Sequence, residues 1–165
     1  MVDKQAEEAV NFYVSIFKNS KINKVSYYGE AGPGPKGSVM TVSFELDGQG
    51  FIALNGGSPS KFNESISFMV NCNTQQEVDE YWEKLSAEGG QKIQCGWLKD
   101  KYGLSWQVTP VVLMEMISDP DPKKSQQVME AMLQMEKIDI ETIKQAAERA
   151  MQPFRLSSQD GRPPR

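Results

Sequence analysis

The stretch EAVNFYVSI, Glu8–Ile16, returns in altered form as EVDEYWEKL, Glu77–Leu85. Glu8, Ala9, Phe12, Tyr13 and Ile16 line up with Glu77, Val78, Tyr81, Trp82 and Leu85. Both stretches carry apolar residues at the three- and four-residue spacing of a helix that buries one face. The spacing predicts a first helix from Lys4 to Phe17, with Ala6, Ala9, Val10, Tyr13, Ile16 and Phe17 inward and Asp3 as its N-cap. Thr74-Gln75-Gln76-Glu77 opens the second helix as a capping box, in which the Thr and Glu side chains satisfy exposed backbone donors. Gly89-Gly90 closes it.

Strand signals surround each helix in the same order. After the first come KINKVSYY, a Gly/Pro-rich loop YGEAGPGPKG, and SVMTVSFEL. Asp47-Gly48 then marks a hairpin turn, and FIALNGG is the returning strand. SISFMVNC precedes the second helix, and QKIQCGWL and LSWQVTP follow it, joined by a turn at Lys101-Tyr102-Gly103. The repetition predicts two copies of one βαβββ unit, an α+β fold. The first copy, 1–57, lacks its opening strand, because only Met1 and Val2 precede the expected cap. The second occupies 64–110.

A helical extension is expected over 111–151, with a disordered tail over 152–165. It starts with VVLMEMIS, and Asp121-Pro122 and Asp139 begin two further helices. The stripe Val128, Ala131, Met132 and Met135 is expected to pack on the body of the same subunit.

Histidine is absent from the whole chain. That removes Ser-His-Asp and Cys-His catalysis as usually built, and the commonest side-chain ligand for transition metals. No Asp/Glu cluster is spaced to hold magnesium or calcium. A net charge of −4 lacks the basic footprint of a nucleic-acid binder. No apolar run is long enough to span a bilayer, and MVDKQAEEAV lacks the pattern of a secretory signal. Cys72 and Cys95 form no CxxC pair and read as reduced thiols in a cytoplasmic protein. GPGPKG lacks phosphate-loop spacing, and its prolines remove N–H donors. No glycine-rich loop suggests S-adenosylmethionine binding.

QAEEAVNFYVSIF, YGEAGPGPKGSVMTVSFELDGQ, FIALNGG, ISFMVNC and GWLKDKYGLSWQV together resemble the PhnB-like proteins of the vicinal oxygen chelate (glyoxalase/bleomycin-resistance) superfamily. Many of these are labelled 3-demethylubiquinone-9 3-methyltransferase-like. The resemblance runs over roughly residues 3 to 148 and rests on several blocks in one order. It implies paired βαβββ modules whose mixed sheet curls around a cavity, helices on the convex face, ligand on the concave face, and a homodimer. Metalloenzymes of the superfamily draw His and Glu ligands from the first and last strand of each unit. Carried over residue by residue, those positions fall on Ala53, Ser65 and Gln107, with the fourth on the missing strand. A neutral amide does not supply the charge that offsets dehydration of a divalent cation, so the reading is a scaffold without metal or other cofactor.

Strand alternation gives a reading of the cavity that is independent of the family. In SISFMVNC, Ile66, Phe68, Val70 and Cys72 oppose Ser65, Ser67, Met69 and Asn71; in LSWQVTP, Leu104, Trp106 and Val108 oppose Ser105, Gln107 and Thr109. The apolar faces are expected under the helices. The expected ligand pocket is Phe51, Ala53, Asn55, Ser65, Ser67, Met69, Ser105 and Gln107. Trp97 and Trp106 are expected in the core, and Glu45 as a solvated edge residue rather than a general base. The function expected is metal-independent binding of an unidentified small molecule by a dimer, without nucleic-acid or membrane partners. The alternative is an isomerase, lyase or dioxygenase of the superfamily, or the methyltransferase of the family label.

Overall fold

The computed structural model describes residues 5–57 and 61–151. The expected cap Asp3 and the tail 152–165 lie outside them. Helix α1, Ala6–Ile16, is followed by strands β1, Lys21–Tyr27, β2, Val39–Leu46, and β3, Gln49–Leu54. The second unit is β4, Ser67–Cys72, α2, Gln75–Leu85, β5, Gln91–Lys92, β6, Trp97–Lys99, and β7, Ser105–Pro110. Three helices close the chain: α3, Val111–Ile117, α4, Pro122–Met132, and α5, Ile140–Met151.

The strands form two sheets, one ordered β1-β2-β3 and one ordered β4-β7-β6-β5. β4 runs parallel to β7, and every other pairing is antiparallel. The fold is therefore mixed α+β with C-terminal helices. Two-residue turn chemistry sets the first sheet: Asp47 and Gly48 have φ of 47° and 79°, as a tight hairpin requires. The register that follows pairs Phe44 with Phe51 and Val42 with Ala53.

One apolar core runs beneath both helices and joins the units. Val10, Val42, Val78, Leu85, Leu98 and Val108 are fully enclosed in it. Each contributes about 1.5–3 kcal/mol relative to exposure. The capping box forms: Thr74 Oγ1 accepts from Glu77 N at 3.2 Å, and Glu77 reaches back to the N–H of Asn73 rather than Thr74, at 2.8 Å. α1 is capped differently from expectation. Its N-cap is Gln5, whose side chain makes no cap bond; Asn55 Oδ1, at the end of β3, accepts from Ala6 N at 2.9 Å.

QKIQCGWL is not one strand. It breaks into β5 and β6 because Cys95 and Gly96 take φ of 60° and 80°. Their N–H groups donate to Met135 O and Glu136 O of the extension instead of to a neighbouring strand. Gln75 adds two bonds to the same segment, donating to Ile138 O and accepting from Ile140 N. The helices α3 to α5 have their own small core of Leu113, Val128, Ile138, Ile143 and Ala147, against which Met132 and Met135 pack.

Candidate functional site: the open face of the second sheet

Register places Ser67 opposite Ser105, Met69 opposite Gln107, and Gln107 also opposite Trp97. Paired residues share a face, so Ser67, Met69, Ser105, Gln107 and Trp97 stand on the side away from α2. Gln107 Nε2 donates to Ser67 Oγ at 2.8 Å, and both are half-buried. Met69 is exposed beside them. The Ser105 hydroxyl is buried beneath with no hydrogen-bond partner. At the margin Lys99 pairs with Glu64.

The other four expected pocket residues are not part of this group. Phe51 and Ala53 point to the helix side, because their partners Phe44 and Val42 are buried there, but Phe51 shares with Met69 the lining of a cleft between β3 and β4. Asn55 is occupied structurally, accepting from Ala6 N and donating to Val39 O. Ser65 precedes β4 and is exposed. Trp97 is the residue that the sequence reading set in the core and the structure leaves half-buried on the open face. Its direct pairing with Gln107 was readable once Trp97 and Gln107 were placed on neighbouring strands. Trp106, by contrast, is in the core.

Two groups on other faces, Glu45 on β2 and the core thiol Cys72, are poor bases or nucleophiles. The Asn23 hydrogen bond, with help from Lys21, holds the Glu45 carboxyl below its ordinary range, which makes it a weaker base. Burial, with the Glu77 charge adding, pushes the Cys72 thiol up to about 12, so it stays a thiol. The three positions carried over from the metalloenzymes do not form a ligand set, since Ala53 lies on the far side of its sheet and Ser65 is off the strand. Among the described residues no three His, Cys, Asp or Glu side chains gather to hold a metal ion.

What fixes the face is a buried polar knot on the opposite side. Asp100 is 3% exposed. Its carboxylate accepts from Tyr13 Oη at 2.7 Å, Trp106 Nε1 at 2.8 Å, Tyr102 N at 2.9 Å and Leu104 N at 3.0 Å. Burial first, then the Asp100 charge, pushes the Tyr13 hydroxyl far above its ordinary range, so it remains a donor. The knot ties α1 of one unit to β7 of the other. Lys101, seated over the rings of Phe12 and Tyr102, extends the tie to Glu8 and Glu88.

Two of the cavities bear on the expected pocket residues. One of about 550 Å³ adjoins Tyr28, Ser38, Asn55 and Glu7. Its wall explains the Gly/Pro loop: Gly32 and Gly34 wrap the Tyr28 ring so closely that a Cβ on either would strike it. The Tyr28 hydroxyl donates to Asn55 O at 2.5 Å. The other, about 310 Å³, opens between β3 and β4 and is lined by Phe17, Phe51, Phe68, Tyr81 and Trp106. Gln107 lines neither.

A family model described as 3-demethylubiquinone-9 3-methyltransferase matches residues 1–109. The PhnB protein of Bacillus cereus is 37% identical, with a TM-score of 0.61 over 67% of this chain and 95% of that one. A Pseudomonas aeruginosa protein, 18% identical over 66% of this chain and 91% of its own, has a TM-score of 0.54 and shares the fold. No curated protein sequence matches the chain. No helix among the described residues is long and apolar enough to cross a membrane.

Proposed function

Because this chain belongs to the 3-demethylubiquinone-9 3-methyltransferase (PhnB-like) family, we propose that it uses the family scaffold to bind a small uncharged molecule on the face around Gln107, without a metal. The observation that carries this reading is the Ser67–Gln107 amide–hydroxyl pair beside the unpartnered Ser105 hydroxyl, with Met69 and Trp97 as apolar neighbours. A buried hydroxyl without a partner costs about 1–3 kcal/mol, which a ligand or water offsets. An amide both donates and accepts, so a carbonyl or phenol suits it.

The family description names a methyl transfer. Transfer to a hydroxyl needs a group that takes its proton; among the described residues of this face Gln107 and Ser67 are neutral, and the Glu64 carboxylate at the margin is held below its ordinary range by Lys99, which makes it a weaker base. No step through a methyl donor follows from these residues.

A second copy of the chain would provide an opposing wall. Ile52, 73% exposed on the outer face of the first sheet, and Met69, 47% exposed on the second, favour such a homodimer. Two unpaired cysteines suit a reducing, cytoplasmic setting. Trp97 is the natural reporter. Titration with a panel of phenols and quinones is expected to change its fluorescence saturably, before and after dialysis against EDTA. Gln107→Leu is expected to weaken binding by up to about tenfold, the worth of a single hydrogen bond. A stoichiometric metal whose removal abolishes binding, or unchanged affinity in the leucine variant, would overturn the reading. Light scattering that finds a monomer at micromolar concentration would remove the dimer.

A further inference from the structure

The Ser105 hydroxyl lies on the same face as Gln107 and yet is closed off from it. Ser105 is 1% exposed, and its oxygen has no hydrogen-bond partner among the described residues. Its strand neighbours Leu104 and Trp106 turn into the core, so Ser105 turns toward the open face. The register brings two side chains over it. Gln107 leans back to Ser67, the partner of Ser105 on β4, rather than standing out beside its own partner Met69. Lys99, the partner of Ser105 on β6, pairs with Glu64, which lies ahead of β4. β7 runs between β6 and β4, so the lysine stem crosses β7 at the level of Ser105. A molecule resting on the face reaches the hydroxyl only after one of these side chains moves.

The Gln107 amide is the one with a reason to move, because its Nε2, the donor that meets a ligand's oxygen, is committed to Ser67. The exchange sets the chemistry of the ligand. Gln107 offers a donor, so the ligand supplies an acceptor. Ser67 loses a donor and Ser105 has none, so the ligand also supplies donors next to that acceptor. A planar primary carboxamide carries all of these on one carbon: its carbonyl meets Gln107, and its two N–H groups meet Ser67 and Ser105. We propose that Ser105 is a closed second subsite of this face, opened when the Gln107 amide turns from Ser67 to the ligand, and that it selects uncharged carboxamides over ketones of the same shape. Such selection rests on binding at the Gln107 face and adds the group that the ligand must carry.

Benzamide and acetophenone are the probes, since they differ only in an amino group against a methyl group. Titration of the full chain is followed by NMR at the Gln107 side-chain amide. Both probes are expected to shift that signal, and benzamide to bind about tenfold more tightly, the effect of about 1.4 kcal/mol. In Ser105→Ala the preference is expected to fall below about threefold. N,N-Dimethylbenzamide, which has no N–H, is expected to bind no better than acetophenone. Ser105→Ala is expected to unfold in urea no earlier than the parent chain, because it removes a hydroxyl without a partner. A preference absent in the parent chain, or undiminished in Ser105→Ala, overturns the proposal and leaves binding at the face standing. A marked loss of stability in Ser105→Ala also overturns it, since the hydroxyl then has a partner already. Failure of both probes to shift the Gln107 signal overturns the reading of the face and this proposal with it.

Discussion

The two units place an aspartate in the turn before their last strand, Asp47 before β3 and Asp100 before β7, and use it in opposite ways. Asp47 is exposed and shapes a two-residue turn with its neighbour Gly48. Asp100 is buried and takes four hydrogen bonds, two of them from side chains on α1 and β7. The first aspartate serves local geometry, and the second holds the units together. A repeated sequence position therefore says little about energetic weight until its long-range partners are known.

The largest break in that comparison is Asp100→Ala. It leaves the Tyr13 hydroxyl and the Trp106 indole N–H buried without an acceptor. Hydrogen bonds to a charged group are worth about 1.5–3 kcal/mol each, so a loss of roughly 4 kcal/mol is expected after partial relaxation. Urea denaturation followed by tryptophan fluorescence measures it. A loss below that of Asp47→Ala would remove the knot as the chief tie.

The glycines sharpen the same contrast. Gly96 has φ of 80°, and a Cβ there would sit 2.8 Å from Val108 O and 3.1 Å from Ile138 Cγ1. Gly96→Ala combines strain with a clash against backbone and is expected to cost about 3 kcal/mol. Gly48 has nearly the same φ, 79°, but its Cβ would meet only Asn19 Nδ2 at 3.7 Å. Gly48→Ala is expected to cost about 1 kcal/mol, the conformational part alone. Thermal unfolding of both variants gives the difference, and equal costs would mean that the extension yields freely around Gly96.

Features that depend on near neighbours in sequence were legible: the helical repeat, the Asp47-Gly48 turn, and the capping box. Features that depend on a distant partner were not. Nothing around Cys95 announces that its N–H turns to Met135, so the split of QKIQCGWL was hidden. Asn55 as the cap of α1 was hidden for the same reason. The helix-side placement of Phe51 and Ala53 is legible from the turn. A two-residue turn at Asp47-Gly48 pairs Leu46 with Gln49, and parity then ties Phe51 to Phe44 and Ala53 to Val42. For the candidate site, the grouping of Ser67, Met69, Ser105 and Gln107 followed from alternation within two strands. Trp97 required the placement of a third strand.

The smallest effect concerns the extension, which only the second unit carries. Lys137 Nζ lies 2.7 Å from Asp79 Oδ1 on α2, and Gln75 donates to the same oxygen at 3.0 Å. These bonds, Lys137 first, hold the Asp79 carboxyl below its ordinary value of 3.8. A depressed carboxyl stabilises the folded form fully above that ordinary value, and the contribution disappears as pH falls through the lower folded value. The hold of the segment before α5 on α2 should therefore weaken in acid. Amide exchange at Cys95 and Gly96, whose N–H groups bond to the extension, is expected to accelerate as pH falls below 3.8 by more than its intrinsic pH dependence. Lys137→Met should flatten that excess, because it removes the dominant cause of the depression. If the excess persisted in the methionine variant, the extension would be held by its apolar contacts and by Gln75 alone, and the charge pair would be a surface contact of little weight.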